Sequence, residues 1–182
     1  MKKILYIALS FIAVTISICS CNSDDDTWAE YQVWRTDNLN WYLAQKDSTV
    51  AGQKYYTELS PSWMQHSGVL IHYFNDRSLT AGNLVPMATS TVTVKYKGML
   101  YNGVAFDSTT VATSDSVRTF ALSGLITGWQ VALQDMHVGD TCEVIIPYFM
   151  GYGANGNYGI SPYSTLVFGM KLTDIAGYEI RK

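Results

Sequence analysis

Three spacings of apolar residues divide the chain. The first is continuous. Lys2 and Lys3 are followed by Ile4 to Ile18, a run without charge and with only scattered Ser and Thr. Such a run is too short for the roughly 20 residues that cross ~30 Å of hydrocarbon, so it reads as a processed secretory signal and not a membrane-spanning helix. The second spacing is helical. Trp28, Tyr31, Trp34, Leu39, Trp41 and Tyr42 recur every three or four positions up to about Gln45, with no Gly or Pro among them. This predicts an amphipathic helix capped by Asp26 or Thr27, with Glu30 in its first turn. Packing on its own domain is the commonest fate of such an aromatic stripe; a homodimer contact through residues 28–45 and an exposed ligand platform stay open.

Residues 47–66 are mixed and turn-rich, and beyond them the period falls to two. Val69, Ile71 and Tyr73 alternate, as do Val92, Val94 and Tyr96, which brings β-branched and aromatic side chains to one face of a strand. Asn102-Gly103 between two apolar triplets is a hairpin signal, because both central positions of the tightest hairpin turns favour positive φ. One more helix is expected where Trp129, Leu133 and Met136 fall at i, i+4 and i+7, with Gly139 placed to stop it. Val144–Ile146 and Leu166–Leu172 read as closing strands. Strands, helix, strands is the order of an α+β domain with one helix laid on an antiparallel sheet.

Composition narrows the classes. The 182 residues are 48% hydrophobic and 15% charged, which suits a globular domain and not a disordered chain. Twelve Lys and Arg against fifteen Asp and Glu leave no basic surplus for phosphates, so a nucleic-acid partner is set aside. His66, His72 and His137 stand apart from one another and from Cys142, so no metal site is expected. Cys142 lies in the alternation Cys142, Val144, Ile146 and reads as a small buried hydrophobe.

The run ends in Ile18-Cys19-Ser20-Cys21, which resembles the bacterial lipobox, where a small residue precedes a cysteine that is diacylated and becomes the N-terminus. Cys21 fits the lipidation role; Cys19 follows bulky Ile18 and does not. Two or three acyl chains would anchor the protein firmly, since each buried CH₂ contributes about 0.8 kcal/mol. Asn22-Ser23-Asp24-Asp25-Asp26 then forms an acidic tether, similar to the export signal of some surface lipoproteins and equally readable as a solvated spacer. Loss of Lys2 and Lys3 with the signal takes the formal charge from −3 to −5. The expected organisation is a lipoprotein signal peptide over 1–20, a tether over 21–27, an N-terminal helical extension over 28–66 and a folded domain over 67–177. The expected location is the cell envelope, on either face of the outer membrane.

Gly151-Tyr152-Gly153-Ala154-Asn155-Gly156 matches GxGxxG but does not make a dinucleotide site, because Gly159 and Pro162 forbid the helix that must open at the third glycine. No elbow motif supports a Ser/His/Asp hydrolase. The informative signal is distributed. Val92-Thr-Val-Lys-Tyr96-Lys-Gly98, Phe106-Asp107-Ser108, Phe120 to Gly128-Trp129, Met136 to Asp140, Ile146-Pro147, Tyr152-Gly153 and Ile160 to Phe168 together resemble the FKBP-type peptidyl-prolyl cis–trans isomerases in order and spacing, over roughly residues 67–175.

The resemblance implies an antiparallel half-barrel wrapped around one short helix, with a substrate proline held between them and no cofactor. It implies Trp129 as the floor of the pocket and Tyr96, Phe106, Leu125, Ile126, Ile160 and Phe168 as walls. The Tyr152 hydroxyl and the Ile126 N–H would be donors to the ligand, and Asp107 the buried acid beside it. Phe120 is expected to be core only. Arg118, Ser161, Lys95 and Lys97 depart from the family pattern at or near the rim, which bears on substrate preference. The implied partners are proline-containing polypeptides; a catalytically weak peptide-binding module or chaperone on the same fold is the alternative.

Overall fold

The computed structural model describes residues 25–61, 63–64, 67–109 and 116–177; the expected signal segment, Cys21 and His66 lie outside them. The fold is α+β. Helix α1 spans Asp25–Lys46. It therefore starts before Trp28, and Asp26 and Thr27 are within its first turn and not its caps. No Gly or Pro in that stretch breaks the helix.

Trp34, Asn38 and Tyr42, each one helical turn from the next, face the domain. Asn38 is buried; its Oδ1 accepts the Thr165 N–H at 2.6 Å, and the Tyr42 hydroxyl donates to the Gly68 carbonyl at 2.9 Å. Trp34 meets Tyr101 edge-on at 5.2 Å, and the Arg35 guanidinium lies over the Tyr163 ring at 4.8 Å. Of the predicted stripe, Trp34, Trp41 and Tyr42 pack on the domain, while Tyr31 and Leu39 are exposed.

After α1 come two very short strands, β1 (Thr49–Val50) and β2 (Gln53–Lys54), that pair only with each other, then β3 (Thr57–Leu59). They occupy the segment expected to be turn-rich, and β3 already belongs to the main sheet through β4 (Val69–Tyr73). The sheet is completed by β5 (Thr91–Leu100), β6 (Ala105–Ser108), β7 (Arg118–Ala121), β8 (Thr141–Ile146) and β9 (Leu166–Ala176). Its order is β3-β4-β8-β9-β5-β6, all antiparallel, with β7 on the same side of β5 as β6 but at the other end. In β5 the alternate residues Val92, Val94, Tyr96 and Leu100 are buried, as the period of two predicts. The β5–β6 hairpin is wider than a two-residue turn: Gly103 N–H donates to Leu100 O, Leu100 N–H to Val104 O, and Gly103 alone has positive φ, at +84°. This is a type I turn followed by a glycine bulge, so Asn102 keeps ordinary φ and instead accepts the Val104 N–H on its side chain.

Helix α2 (Thr127–Asp135) lies on the concave face and buries Gly128, Trp129, Ala132 and Leu133. It ends before Gly139, the expected stop, because Met136 is already extended. The turn that follows is held by Asp140, which is fully buried. Its carboxylate accepts the His137 N–H at 2.9 Å, Asn75 Nδ2 at 3.0 Å, the Thr80 hydroxyl and Arg77 Nε at 3.3 Å. Arg77 also reaches Asp135 at the end of α2 and covers the Tyr73 ring at 4.1 Å. One buried carboxylate therefore ties the helix end, β4 and the start of β8 together. Burial alone would raise the Asp140 carboxyl, but the hydrogen bonds from Thr80, His137 and Asn75 and the Arg77 charge outweigh it and hold it below the usual value.

A carboxyl depressed in the folded state contributes stability above its unfolded value, near 3.9, and loses it as pH falls through the lower folded value. Asp140→Asn should cost about 3 kcal/mol at pH 7, by analogy with other broken buried ion pairs. It should also flatten the loss of stability between pH 4 and lower values, as urea unfolding at a series of pH values will read.

Candidate functional site

The site begins at β5. Tyr96 points into the concave side, and Gly98, two residues on, has no side chain there. A Cβ at Gly98 would stand 2.7 Å from Phe168 and 2.8 Å from Phe106, so these rings meet only because the position is glycine. Phe106 comes from β6 and Phe168 from β9, and their centroids are 5.6 Å apart at 88°. From the other side α2 inserts Trp129. Its indole is perpendicular to Tyr96 at 5.0 Å, to Phe168 at 5.1 Å and to Phe120 at 6.1 Å. Edge-to-face pairs of this kind add about 0.5–1.5 kcal/mol each beyond area burial. The rings bound a cleft of about 200 Å³ lined by Tyr96, Phe106, Asp107, Phe120, Gly124, Leu125, Ile126, Trp129, Tyr152 and Phe168.

The walls are apolar and the polar groups sit at the margin. The Tyr96 hydroxyl donates to Asp107 Oδ2 at 2.5 Å, and Arg118 Nη1 donates to that hydroxyl at 3.1 Å while reaching Asp107 Oδ1 at 3.5 Å. Burial, then the bond to Asp107 and its negative charge, push the Tyr96 phenol up to about 12, so it stays a proton donor at neutral pH. Two donors on the cleft have no acceptor among the described residues: the Tyr152 hydroxyl and the N–H of Ile126, which precedes the first turn of α2. A peptide bound in the cleft would find two free N–H or O–H groups and a dry floor.

A family model for FKBP-type peptidyl-prolyl cis-trans isomerase matches residues 82–173, half of the chain. The chain belongs to that family. It is 39% identical over 90 residues to the FKBP-type isomerase FkpA of Escherichia coli K12, covering 50% of this chain and 33% of that one. It is 42% identical over 91 residues to the outer membrane protein MIP of Legionella longbeachae, covering 50% and 38%. The chain thus spans little more than a third of the length of these curated relatives. The crystal structure of a peptidyl-prolyl isomerase from Pseudomonas syringae pv. tomato superposes with a TM-score of 0.64 at 26% identity, over 79% of this chain and 94% of that one.

Within this FKBP-type domain, eight of the nine expected pocket residues line one cleft: Tyr96, Phe106, Asp107, Leu125, Ile126, Trp129, Tyr152 and Phe168. Ile160 does not. It is buried in the core, where a bridge to Asn157 holds its loop. Phe120, expected to be core alone, lines the cleft: β7 is an edge strand paired only with β5, so the ring is half-buried and faces Trp129. Asp107, expected as a buried acid, lines the cleft but is only partly buried: it stands on edge strand β6 and its side chain keeps 42% of its surface. Arg118 replaces a wall residue of the FKBP-type pattern with a cation that bridges Tyr96 and Asp107. Its charge would be difficult to read from the sequence as part of the pocket, because the partner strand and register had to be known first. No group of metal-binding side chains occurs among the described residues, nor a helix long and apolar enough to cross a membrane.

Proposed function

We propose that the chain accelerates cis–trans rotation about X–Pro bonds in polypeptides exported to the cell envelope. The observation that carries the reading is the convergence of Trp129 and the Ile126 N–H, at the start of α2, with Tyr152 from a later loop, on one apolar cleft. An X–Pro amide rotates over a barrier of about 18–20 kcal/mol through a state that has lost its double-bond character. No bond breaks, so the chemistry requires neither a nucleophile nor a proton shuttle. The twisted amide is less polar than the planar one, and a dry aromatic cavity stabilises it relative to water.

Trp129 forms the floor on which a pyrrolidine ring stacks, with Tyr96, Phe106 and Phe168 around it. The Tyr152 hydroxyl and the Ile126 N–H hold the flanking carbonyls so that rotation is confined to one amide. The Arg118–Asp107–Tyr96 chain fixes the Tyr96 ring in the wall. Catalysis lies in binding the rotated amide better than the planar one, and each 1.4 kcal/mol of that difference gives a factor of about ten. Tyr152→Phe should lower kcat/KM for a proline peptide by about tenfold, the worth of one hydrogen bond. Trp129→Leu should lower it further while circular dichroism stays native. A purified, folded domain that leaves cis-to-trans relaxation unaccelerated would sink the proposal.

Lipid anchoring at Cys21 is part of the same reading, supported by Ser20 before the cysteine and by the outer-membrane name of the Legionella relative. Cys21→Ser should move the protein from the membrane fraction to the soluble one and abolish labelling by radioactive palmitate.

A homodimer through α1 is a second reading. The outward side of the helix leaves Tyr31, Leu39 and Leu43 at 40%, 44% and 45% exposure. If that side pairs two copies, Leu39→Asp with Leu43→Asp should halve the mass seen by light scattering; a wild-type mass of one chain excludes it.

A further inference from the structure

The cleft borders a feature that the isomerase reading does not use, the outer edge of β7. Leu122 N–H donates to Ser90 O, and the register sets Phe120 opposite Val92 and Arg118 opposite Val94. Bonded residues alternate in an antiparallel pair, so Phe120 and Arg118 direct their backbone groups to β5 while Thr119 and Ala121 turn theirs away from it. Both outward residues are exposed, and the Thr119 N–H and C=O and the Ala121 N–H have no partner among the described residues.

Sheets commonly blunt such an edge with proline, lysine or a bulge. The rest of this side of β5 is blunted. The β5–β6 pairing shifts register at Gly98/Met99, and before it the Tyr96 N–H donates to Thr109 Oγ1 at 3.1 Å while the Tyr96 carbonyl accepts the Ser108 and Thr109 hydroxyls at 3.2 Å. In contrast, β7 reads Arg118-Thr-Phe-Ala121, with no proline or lysine and a regular register. Its charged residue, Arg118, is turned to Tyr96 and Asp107. The strand also reaches the cleft through Phe120, and the chain just beyond it supplies Gly124, Leu125 and Ile126 to the same wall.

We propose that β7 takes up the stretch of polypeptide next to the bound proline as an added strand. The inference rests on the cleft being the X–Pro site. The residue before a proline is held out of the helical region, so a chain leaving the cleft past Phe120 is already extended there. It then meets three unpaired backbone groups in a row, the setting for strand addition. Phe120 faces the cleft and the Thr119 hydroxyl bonds Thr93 on the other side, so successive substrate side chains fall on different faces. A second copy joined edge to edge fits less well. Three bonds add usefully to a ligand already held in the cleft, but two folded domains need an interface on the order of 1,200 Å² to stay together.

Two measurements on the full chain test this. The probe is a proline peptide of roughly twelve residues, long enough at about 3.3 Å per residue to run along β7 from the cleft, beside one cut back to the residues next to the proline. Hydrogen exchange followed by NMR should find the Thr119 and Ala121 N–H groups unprotected in the free chain. The long peptide should slow them several-fold once the Trp129 indole signal shows the cleft filled, and the short one should not. Methylating single N–H groups in the part present only in the long peptide should weaken binding by about fivefold at the one residue that reaches the Thr119 carbonyl, and little on either side of it. Unchanged exchange at Thr119 and Ala121 with the cleft filled overturns the proposal, as does an equal effect of methylation at every position. Slow exchange in the free chain together with a dimer mass by light scattering also overturns it, and assigns the edge to a second copy. Exchange slowed as expected without acceleration of cis-to-trans relaxation leaves the added strand standing and sinks the isomerase reading alone; a long peptide that leaves the Trp129 signal unmoved sinks both.

Discussion

The distance at which α2 rests on the sheet sets everything in the cleft. Gly128 is the contact point: a Cβ there would stand 2.4 Å from Ile146 of β8. Bare backbone lets the helix sink until the neighbouring Trp129 enters among Tyr96, Phe120 and Phe168, its indole perpendicular to each. Any side chain larger than hydrogen would lift the helix, and the indole with it, by more than a close-packed interior absorbs without loss. The far end of the same helix is held by the Asp140 cluster, so its height and its tilt are fixed by different means.

The mouth of the cleft follows from how β5 is shared. Along one edge it pairs with β9 throughout; along the other it pairs with β7 at its start and β6 at its end. The two short strands are separated by a stretch of chain, and each brings one polar rim residue, Arg118 and Asp107, to the Tyr96 hydroxyl between them. That pairing lets a charged residue stand where an apolar wall is usual in the family without leaving a buried, uncompensated cation. The guanidinium is half-exposed and its partners lie within 3.5 Å.

The long elements were legible in the sequence because their burial is periodic. Val92, Val94 and Tyr96 named the inward face of β5, and Trp34 and Tyr42 lie on the face of α1 that meets the domain. The cleft was legible only through resemblance to a family, since no period links Phe106, Trp129 and Tyr152. What escaped has identifiable causes. Strands of two or three residues such as β1–β3 are too short to show alternation. Ile160 and Phe120 exchanged their expected surroundings because a loop bridge and an edge strand decide which of two hydrophobes is covered. Asp140 gathers partners from residues 75, 77, 80 and 137, and the outward backbone groups of Thr119 are found only once strand register is known.

The attachment of α1 has a consequence for the order in which the molecule is made. Asn38 is bound to Thr165, 127 residues later in the chain, and Tyr42 to Gly68, only 26 later. A chain emerging from its amino end can form the helix early and catch the nearer tie, but the farther one waits for the start of the final strand. Until then Asn38 lacks its partner, and the inward face of α1 is held through Tyr42 and the Trp34–Tyr101 contact. Completion of the last strand is therefore the event that closes the molecule at both ends together.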